Sequence, residues 1–140
     1  MLRPSRGLLL MLALAVPASA SAARSGDYSN LCRSPQSGDL VGMTLTLAGT
    51  AAEPSVALRV CEGVCWNAGV GEVRLQGETL TFTAEERVLN DHNEIAKQMT
   101  YRFAARLTED GAILSANMVY GAQTLHWLGA PSDGAAPPCR

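Results

Sequence analysis

The chain has few of the residues that usually carry chemistry or bind nucleic acid. Its 140 residues include two histidines, His92 and His126, and a single lysine, Lys97. Asp and Glu (13) outnumber Lys and Arg (11) and the sequence has no basic patch, so nucleic acid is not expected as a partner. The sequence contains no Gly-x-Ser-x-Gly, no phosphate-binding loop and no His-Glu-x-x-His motif. We therefore predict a protein that is not an enzyme and has no cofactor and no metal.

The acidic residues do not suggest a catalytic pair either. Glu85-Glu86 and Glu109-Asp110 are adjacent in sequence, so in an extended chain the members of each pair point to opposite sides. The segment Asn90-Asp91-His92-Asn93-Glu94 gathers oxygen and imidazole groups, which would suit a metal or a proton transfer. A solvated hairpin loop is the alternative, and we favour it because Asn and Asp stabilise turns and no second ligand group is visible.

Only one long apolar run is present, and it lies at the start of the chain. In residues 1–22, Arg3 and Arg6 precede a short apolar stretch, and small residues then permit cleavage after Ala20 or Ala22. This pattern predicts a secretory signal peptide, because the apolar run is too short for a stable membrane-spanning helix. A retained membrane anchor is the alternative. The prediction is an exported protein, periplasmic or extracellular, with no membrane span after cleavage.

The four cysteines all lie in the part of the chain that would be exported. An even number of cysteines in a small exported domain indicates two disulfides, and a zinc site is the alternative. Of the three possible connectivities we prefer Cys139 bonded to Cys61 or Cys65, with Cys32 taking the other, because a Cys-x3-Cys ring is small. Cleavage also removes Arg3 and Arg6, the only charges in residues 1–22, and takes the formal charge from −2 to −4.

Hydrophobic alternation with a period of two predicts seven strands. The clearest stretch is 99–128, which predicts three antiparallel strands joined by turns at 108–111 and 121–123. Even-numbered connections keep the apolar side chains of neighbouring strands on one face. Arg102, Arg106 and Thr81 are predicted to face solvent. The residues predicted to be buried together are Leu58, Val60, Leu80, Phe82, Tyr101, Phe103, Leu114, Met118, Leu125 and Trp127.

The predicted fold class is all-β: an up-and-down antiparallel meander of seven to eight strands that forms a closed or nearly closed small barrel. A β-sandwich is the second possibility. Closure is favoured because it removes exposed strand edges. The barrel domain covers residues 38–128, after an irregular segment at 23–37. The Ala/Pro-rich tail at 129–140 is predicted to return along the barrel and to be anchored by Cys139.

Over residues 38–128 the strand pattern resembles the lipocalin-like and avidin-like small barrels. The resemblance concerns the pattern of strands, and it implies a small meander barrel without carrying any functional residue onto this chain.

A binding site is predicted at the barrel mouth. If Phe82 lies opposite Tyr101, then Glu86 lies opposite Lys97, and both charged side chains face inward as a pair. A bulge at the rim that turns both side chains outward is the alternative. Trp66 is either a recognition residue or a plug over the disulfides. Small residues on the inner face, Ala105 and Ala116, leave room for a ligand. The candidate lining residues are Glu86, Lys97, Tyr101, Phe103, Met118, Tyr120 and Trp66.

The leading hypothesis of function is a non-enzymatic binding module for a small, partly apolar ligand. The second hypothesis is an envelope or secreted module that binds or inhibits a protein through its loops. The third hypothesis is an enzyme. A ligand-sized cavity would favour the first hypothesis, because an eight-stranded barrel has room for one small ligand or for its own side chains. A filled barrel with an exposed aromatic patch near Trp66 would favour the second. The sequence does not determine the oligomeric state.

Overall fold

The computed structural model describes residues 23–116, 121–129 and 136–140, which form an all-β structure. The predicted signal peptide, 1–22, lies outside these residues. Across the described ranges no helix is long and apolar enough to cross a membrane. The strands are β1 (Gly26–Ser29), β2 (Cys32–Arg33), β3 (Leu40–Gly49), β4 (Pro54–Gln76), β5 (Thr79–Leu89), β6 (Ile95–Leu107), β7 (Gly111–Ala116) and β8 (Gln123–Gly129).

Strand β4 reverses direction at a disulfide and so supplies two neighbouring strands. The Cα atoms of Cys61 and Cys65 are 4.1 Å apart, whereas four residues of extended chain span about 13 Å. Gly63, in the turn between them, has a φ of 85° that favours glycine. In the first limb of β4 (residues 54–61 and the turn that follows), Pro54–Gly63 pairs with β3, and in the second limb (residues 65–76), Gly69–Gln76 pairs with β5. Two separate strands with Val56–Val60 and Val73–Leu75 on their inner faces are predicted here and are present, but residues 61–70, predicted as a loop, belong to β4.

The sheet closes into a barrel because β1 pairs with β3 on one side and with β8 on the other. Tyr28 of β1 lies opposite Leu45 and also opposite Trp127. The predicted all-β antiparallel meander and its closure are confirmed. The closing strand was not predicted, because residues 23–37 were expected to be irregular. Strand β1 has four residues and only one large apolar side chain, so no alternation is visible in its sequence.

The interior of the barrel is filled by the alternating apolar side chains. The rings of Phe82 and Phe103, which lie opposite each other on β5 and β6, stack with their centroids 5.1 Å apart. Trp127 is half-buried against the core, and Met118 lies outside the described residues. Arg102, Arg106 and Thr81 face solvent as predicted. The other residues of the predicted set are buried: Leu58, Val60, Leu80, Phe82, Tyr101, Phe103, Leu114 and Leu125.

The register between β5 and β6 differs by two residues from the prediction. Glu86 lies opposite Met99, and Lys97 lies opposite Val88, so the predicted pairing of Glu86 with Lys97 is wrong. Two features cause the difference. The turn at 90–94, where the Asn90 side chain accepts hydrogen bonds from the backbone N–H groups of two later turn residues, pairs Leu89 with Ile95 and moves the register by one residue. A bulge between Val88 and Leu89, where Ala96 has no opposite residue, moves it by one more.

The disulfide connectivity also differs from the preferred prediction. Cys61 bonds to Cys65, and Cys32 bonds to Cys139. The tight reversal of β4 brings Cys61 and Cys65 close together, so the small ring between them can close. All four cysteines nonetheless lie at one end of the barrel, here called the disulfide end. Cys32 lies opposite Val41 and Cys61 lies opposite Gly42, and these two residues are neighbours near the start of β3.

The C-terminal tail returns to the disulfide end. Gly129 lies opposite Asp27 at the other end of the barrel, and the chain then reaches Cys139 at the disulfide end. There the N–H of Arg33 donates to the carbonyl of Pro137 at 2.7 Å, and the N–H of Cys139 donates to the carbonyl of Arg33 at 2.8 Å. The described end of the tail is therefore held by backbone pairing as well as by its disulfide.

The two disulfides should stabilise the fold unequally. Their sequence separations are 107 and 4 residues. In the chain-entropy treatment, a cross-link over on the order of 100 residues stabilises by about 4.7 kcal/mol and the short ring by about 2 kcal/mol. Replacing Cys32 and Cys139 with Ala should therefore lower the free energy of unfolding more than replacing Cys61 and Cys65. Urea unfolding of the two double variants measures this, and equal losses would contradict it.

Burial of Tyr28 makes the stability sensitive to alkaline pH. Its hydroxyl donates to the carbonyl of Arg24 at 2.6 Å. Burial raises the pKa of the Tyr28 phenol above its ordinary value of 10.0, and the positive charge of Arg24 opposes this only in part. As pH rises above about 10, the phenol of the unfolded chain ionises first, so the free energy of unfolding falls.

Tyr28→Phe should remove this dependence. We expect the variant to lose less stability than the wild type between about pH 10 and pH 11, even if it is less stable at pH 7. Urea unfolding at a series of pH values gives both slopes. Parallel slopes would contradict the assignment to Tyr28.

Candidate functional site

The barrel wall is open on one side of the disulfide end. The second limb of β4 and β5 pair only as far as Gly69 and Glu85, whereas β5 continues to pair with β6 as far as Leu89 and Ile95. The two strands therefore separate toward the mouth and leave an open cleft of about 570 Å³. The cleft is lined by Trp66, Asn67, Gly69, Glu85, Glu86, Arg87 and Val88.

The cleft lies in the plane of the sheet, between two strands. Successive side chains of a strand point to opposite faces, yet the consecutive residues Glu85, Glu86 and Arg87 all line the cleft. The same is true of Trp66 and Asn67 on the opposite wall. Trp66 and Glu86 also line the small inner cavity beneath the cleft. The opening thus connects the inside of the mouth with the outer surface.

The two carboxylates of the cleft have different partners. Glu85 accepts hydrogen bonds from the guanidinium of Arg87 at 3.3 Å and from the amide of Gln98 at 3.2 Å. Glu86 is half-buried and accepts a hydrogen bond from the hydroxyl of Tyr101 at 2.9 Å. Among the described residues no lysine or arginine is within ion-pair distance of Glu86. The cleft therefore presents a carboxylate whose charge the described chain does not neutralise.

Beneath the cleft there is little free space. A cavity of about 20 Å³ adjoins it, bounded by Trp66, Glu86, Tyr101 and Phe103 among others, and this volume suits about one water molecule. The room predicted beside Ala105 is absent, because Ala105 is 1% exposed and lies among packed neighbours. Among the described residues, a ligand-sized opening of about 570 Å³ lies at the mouth, whereas the cavity that reaches Leu58 and Phe103 has about 20 Å³.

Four exposed apolar side chains lie at the disulfide end, where the cleft opens, and one of them, Val88, lines the cleft. Val64 lies in the turn of β4, Val88 and Leu89 lie at the end of β5, and Ile95 begins β6. All four are exposed. We call these four residues the apolar rim. Exposed apolar groups that cluster in this way are typical of interaction surfaces.

The polar segment at 90–94 is a self-contained turn. Asn90 accepts hydrogen bonds from the N–H groups of His92 and Glu94, and its amide donates to the carboxylate of Glu94 at 3.1 Å. This is the solvated hairpin loop that we favoured over a metal site. Within residues 23–116, 121–129 and 136–140, no three His, Cys, Asp or Glu side chains gather as a metal site would require.

The structure brings together four of the seven predicted lining residues. Trp66, Glu86, Tyr101 and Phe103 share the small cavity, and the first two also line the cleft. Lys97 is exposed and lies opposite Val88, away from Glu86 in the ladder. The predicted lining residues Met118 and Tyr120 lie outside the described residues.

The sequence reasoning missed the wall of the cleft that faces outward. Glu85 and Arg87 have outward parity, which alone assigns them to the solvent face, and Asn67 lies in a segment, 61–70, that is predicted to be a loop. A signal was nevertheless available. Gly69 and Gly71 lie next to a predicted strand, close to the barrel mouth. Glycines in or beside a strand often mark an irregularity in its pairing, and such irregularities are common at barrel rims.

Comparison of the chain with family models, with curated protein sequences and with solved structures finds no match. The likeness to lipocalin-like barrels therefore stays a prediction from the strand pattern.

The hydrogen bond between Tyr101 and Glu86 should couple these residues energetically. A double-mutant cycle with Tyr101→Phe and Glu86→Ala should give a coupling energy of about 1–2 kcal/mol, the range for a part-buried hydrogen bond to a charged group. The matched control is Glu85→Ala in the same cycle, for which we expect coupling within about 0.5 kcal/mol. Urea unfolding supplies the free energies, and equal coupling in the two cycles would count against the contact.

Proposed function

We propose that this protein is a non-enzymatic binding module that recognises a partner protein through the cleft and the apolar rim at its disulfide end. The observation that carries the proposal is the distribution of apolar groups. The barrel core is filled by its own side chains, whereas Val64, Val88, Leu89 and Ile95 are exposed around an open cleft.

A partner protein accounts for these exposed residues better than a small ligand does. Exposing large apolar side chains to water costs free energy that burial in an interface recovers. The rim residues lie on three different segments around the mouth, so one flat or convex surface can cover them together. Trp66, half-buried at the cleft wall, is the kind of aromatic anchor on which interface energies depend.

A small, partly apolar ligand is the second candidate. The cleft of about 570 Å³ is within the usual range of ligand sites. Trp66 and Val88 supply apolar contacts, and Glu86 and Asn67 supply polar ones. Such a ligand would lie at the mouth of the barrel.

We further propose that the protein is exported and acts in the periplasm or outside the cell. Two disulfides and no free cysteine among the described residues support an oxidising compartment. A partner in that compartment would be an envelope or secreted protein.

Photo-crosslinking can test whether the rim is the interface. Leu89 and Leu128 are each 53% exposed, and they lie at opposite ends of the barrel. Replacing each in turn with p-benzoylphenylalanine and irradiating cells of the source organism should give a discrete crosslinked product from position 89 and none from position 128. Equal crosslinking from both positions would overturn the proposed surface.

The mass of the assembly distinguishes the two candidates. Native mass spectrometry of protein purified from its own source should show an added mass of several kilodaltons for a protein partner. A retained mass below about 1 kDa, the size of a molecule that fits a ligand pocket, would favour the second candidate. A doubled mass would identify a second copy of this chain and would contradict a distinct partner.

A further inference from the structure

We infer that the cleft receives an extended segment of the partner protein, which adds as a β-strand beside β5 and places a lysine or arginine against Glu86. This inference rests on the proposed function and specifies what the partner contributes. It concerns residues 66–69 of the second limb of β4 and residues 85–88 of β5.

Both walls of the cleft are strand edges that the described residues leave unpaired. Along a strand, alternate residues direct their N–H and C=O groups to opposite sides. Three consecutive residues, 86–88, therefore direct at least one N–H and one C=O toward the cleft. The same holds for 66–68, and no described backbone hydrogen bond joins these two stretches. Free strand edges are templates for another strand, and natural proteins ordinarily protect them.

The cleft lies in the plane of the sheet, so a strand that fills it would continue the sheet. A chain that enters this plane projects alternate side chains to the inside and to the outside of the barrel. Its inward side chain meets Trp66 and Glu86, and its outward side chains meet Asn67 and Arg87. The cleft offers contacts on both faces, which suits an extended peptide better than a ligand that approaches from one side.

The inner side of the cleft carries the negative charge of Glu86. Arg87 neutralises Glu85, but the carboxylate of Glu86 is half-buried beside Trp66 and Tyr101 without a described cationic partner. A half-buried carboxylate is stabilised when a cation pairs with it away from water. The face of a tryptophan also attracts a cation. A lysine or arginine on the incoming strand satisfies both groups at once.

A defined peptide provides the probe. The peptide acetyl-Gly-Val-Lys-Val-Lys-Val-Gly-amide places its lysines on one face when extended, and a second peptide carries Glu in place of Lys. Two further versions of the lysine peptide carry N-methyl groups on alternate backbone nitrogens. One version is methylated at the odd-numbered residues and the other at the even-numbered residues, so that one of the two blocks the N–H groups that face β5. N-methylation removes the donor that a ladder requires and leaves the side chains unchanged.

Amide NMR spectra of the full-length protein, recorded as each peptide is titrated to millimolar concentration, measure the response. We expect the lysine peptide to shift the amides of residues 66–69 and 85–88, and one N-methylated version to bind at least tenfold more weakly. The glutamate peptide should not bind. Glu86→Gln should weaken the lysine peptide at least fivefold, and the matched control Glu85→Gln should change its affinity less than twofold.

Three results would overturn the inference: no shifts in the cleft amides, unchanged binding of both N-methylated peptides, or equal affinity for the lysine and glutamate peptides. The peptide comparisons use the wild-type protein, so they decide the matter even if Glu86→Gln folds poorly. Photo-crosslinks from position 89 that persist after any of these results would leave the proposed function standing. The partner would then bind on the rim without adding a strand.

Discussion

The structure depends on the pairing of one four-residue strand. Strand β1 hydrogen-bonds to β3 and to β8, and without it the meander would be an open sheet with two exposed edges. Closure encloses the apolar faces of all strands in one core. The Cys32–Cys139 disulfide lies just after β1 and ties the C-terminal tail beside it, so the first and last described segments are held together at the place where the barrel closes.

The same barrel is closed along most of its wall and open at one place. Near the opening, Cys61–Cys65 holds the second limb of β4 to the first limb, and a bulge between Gly71 and Arg74 interrupts its ladder with β5. Glu72 within the bulge has a φ of 50°, which is uncommon for a residue with a side chain. A bulge increases local twist and bends its strand. The ladder resumes for three pairs, from Gly71 to Gly69, before the two strands separate at the mouth.

Most of the fold, but only Trp66 and Glu86 of the residues that line the cleft, could be predicted from the sequence. Side-chain parity placed Leu80, Phe82 and Phe103 in one core, and it placed Glu86 on the inner face near Trp66. Parity did not place Lys97, because side-chain parity is unchanged by a shift of two residues. The turn at Asn90 and the bulge between Val88 and Leu89 together produced such a shift. The cleft itself was not foreseen, since it arises where two strands stop pairing.

The sequence by itself determined the all-β class, the inward face of β3, of the first limb of β4 and of β5 to β8, and the oxidised cysteines, because these follow from local alternation and composition. Only the tertiary structure decided which strand closes the barrel, how the cysteines pair and where the wall opens. Each of these depends on contacts between segments far apart in the chain. Asp27 and Gly129 are neighbours across the closing seam, and no pattern within a short window of sequence records such a pairing.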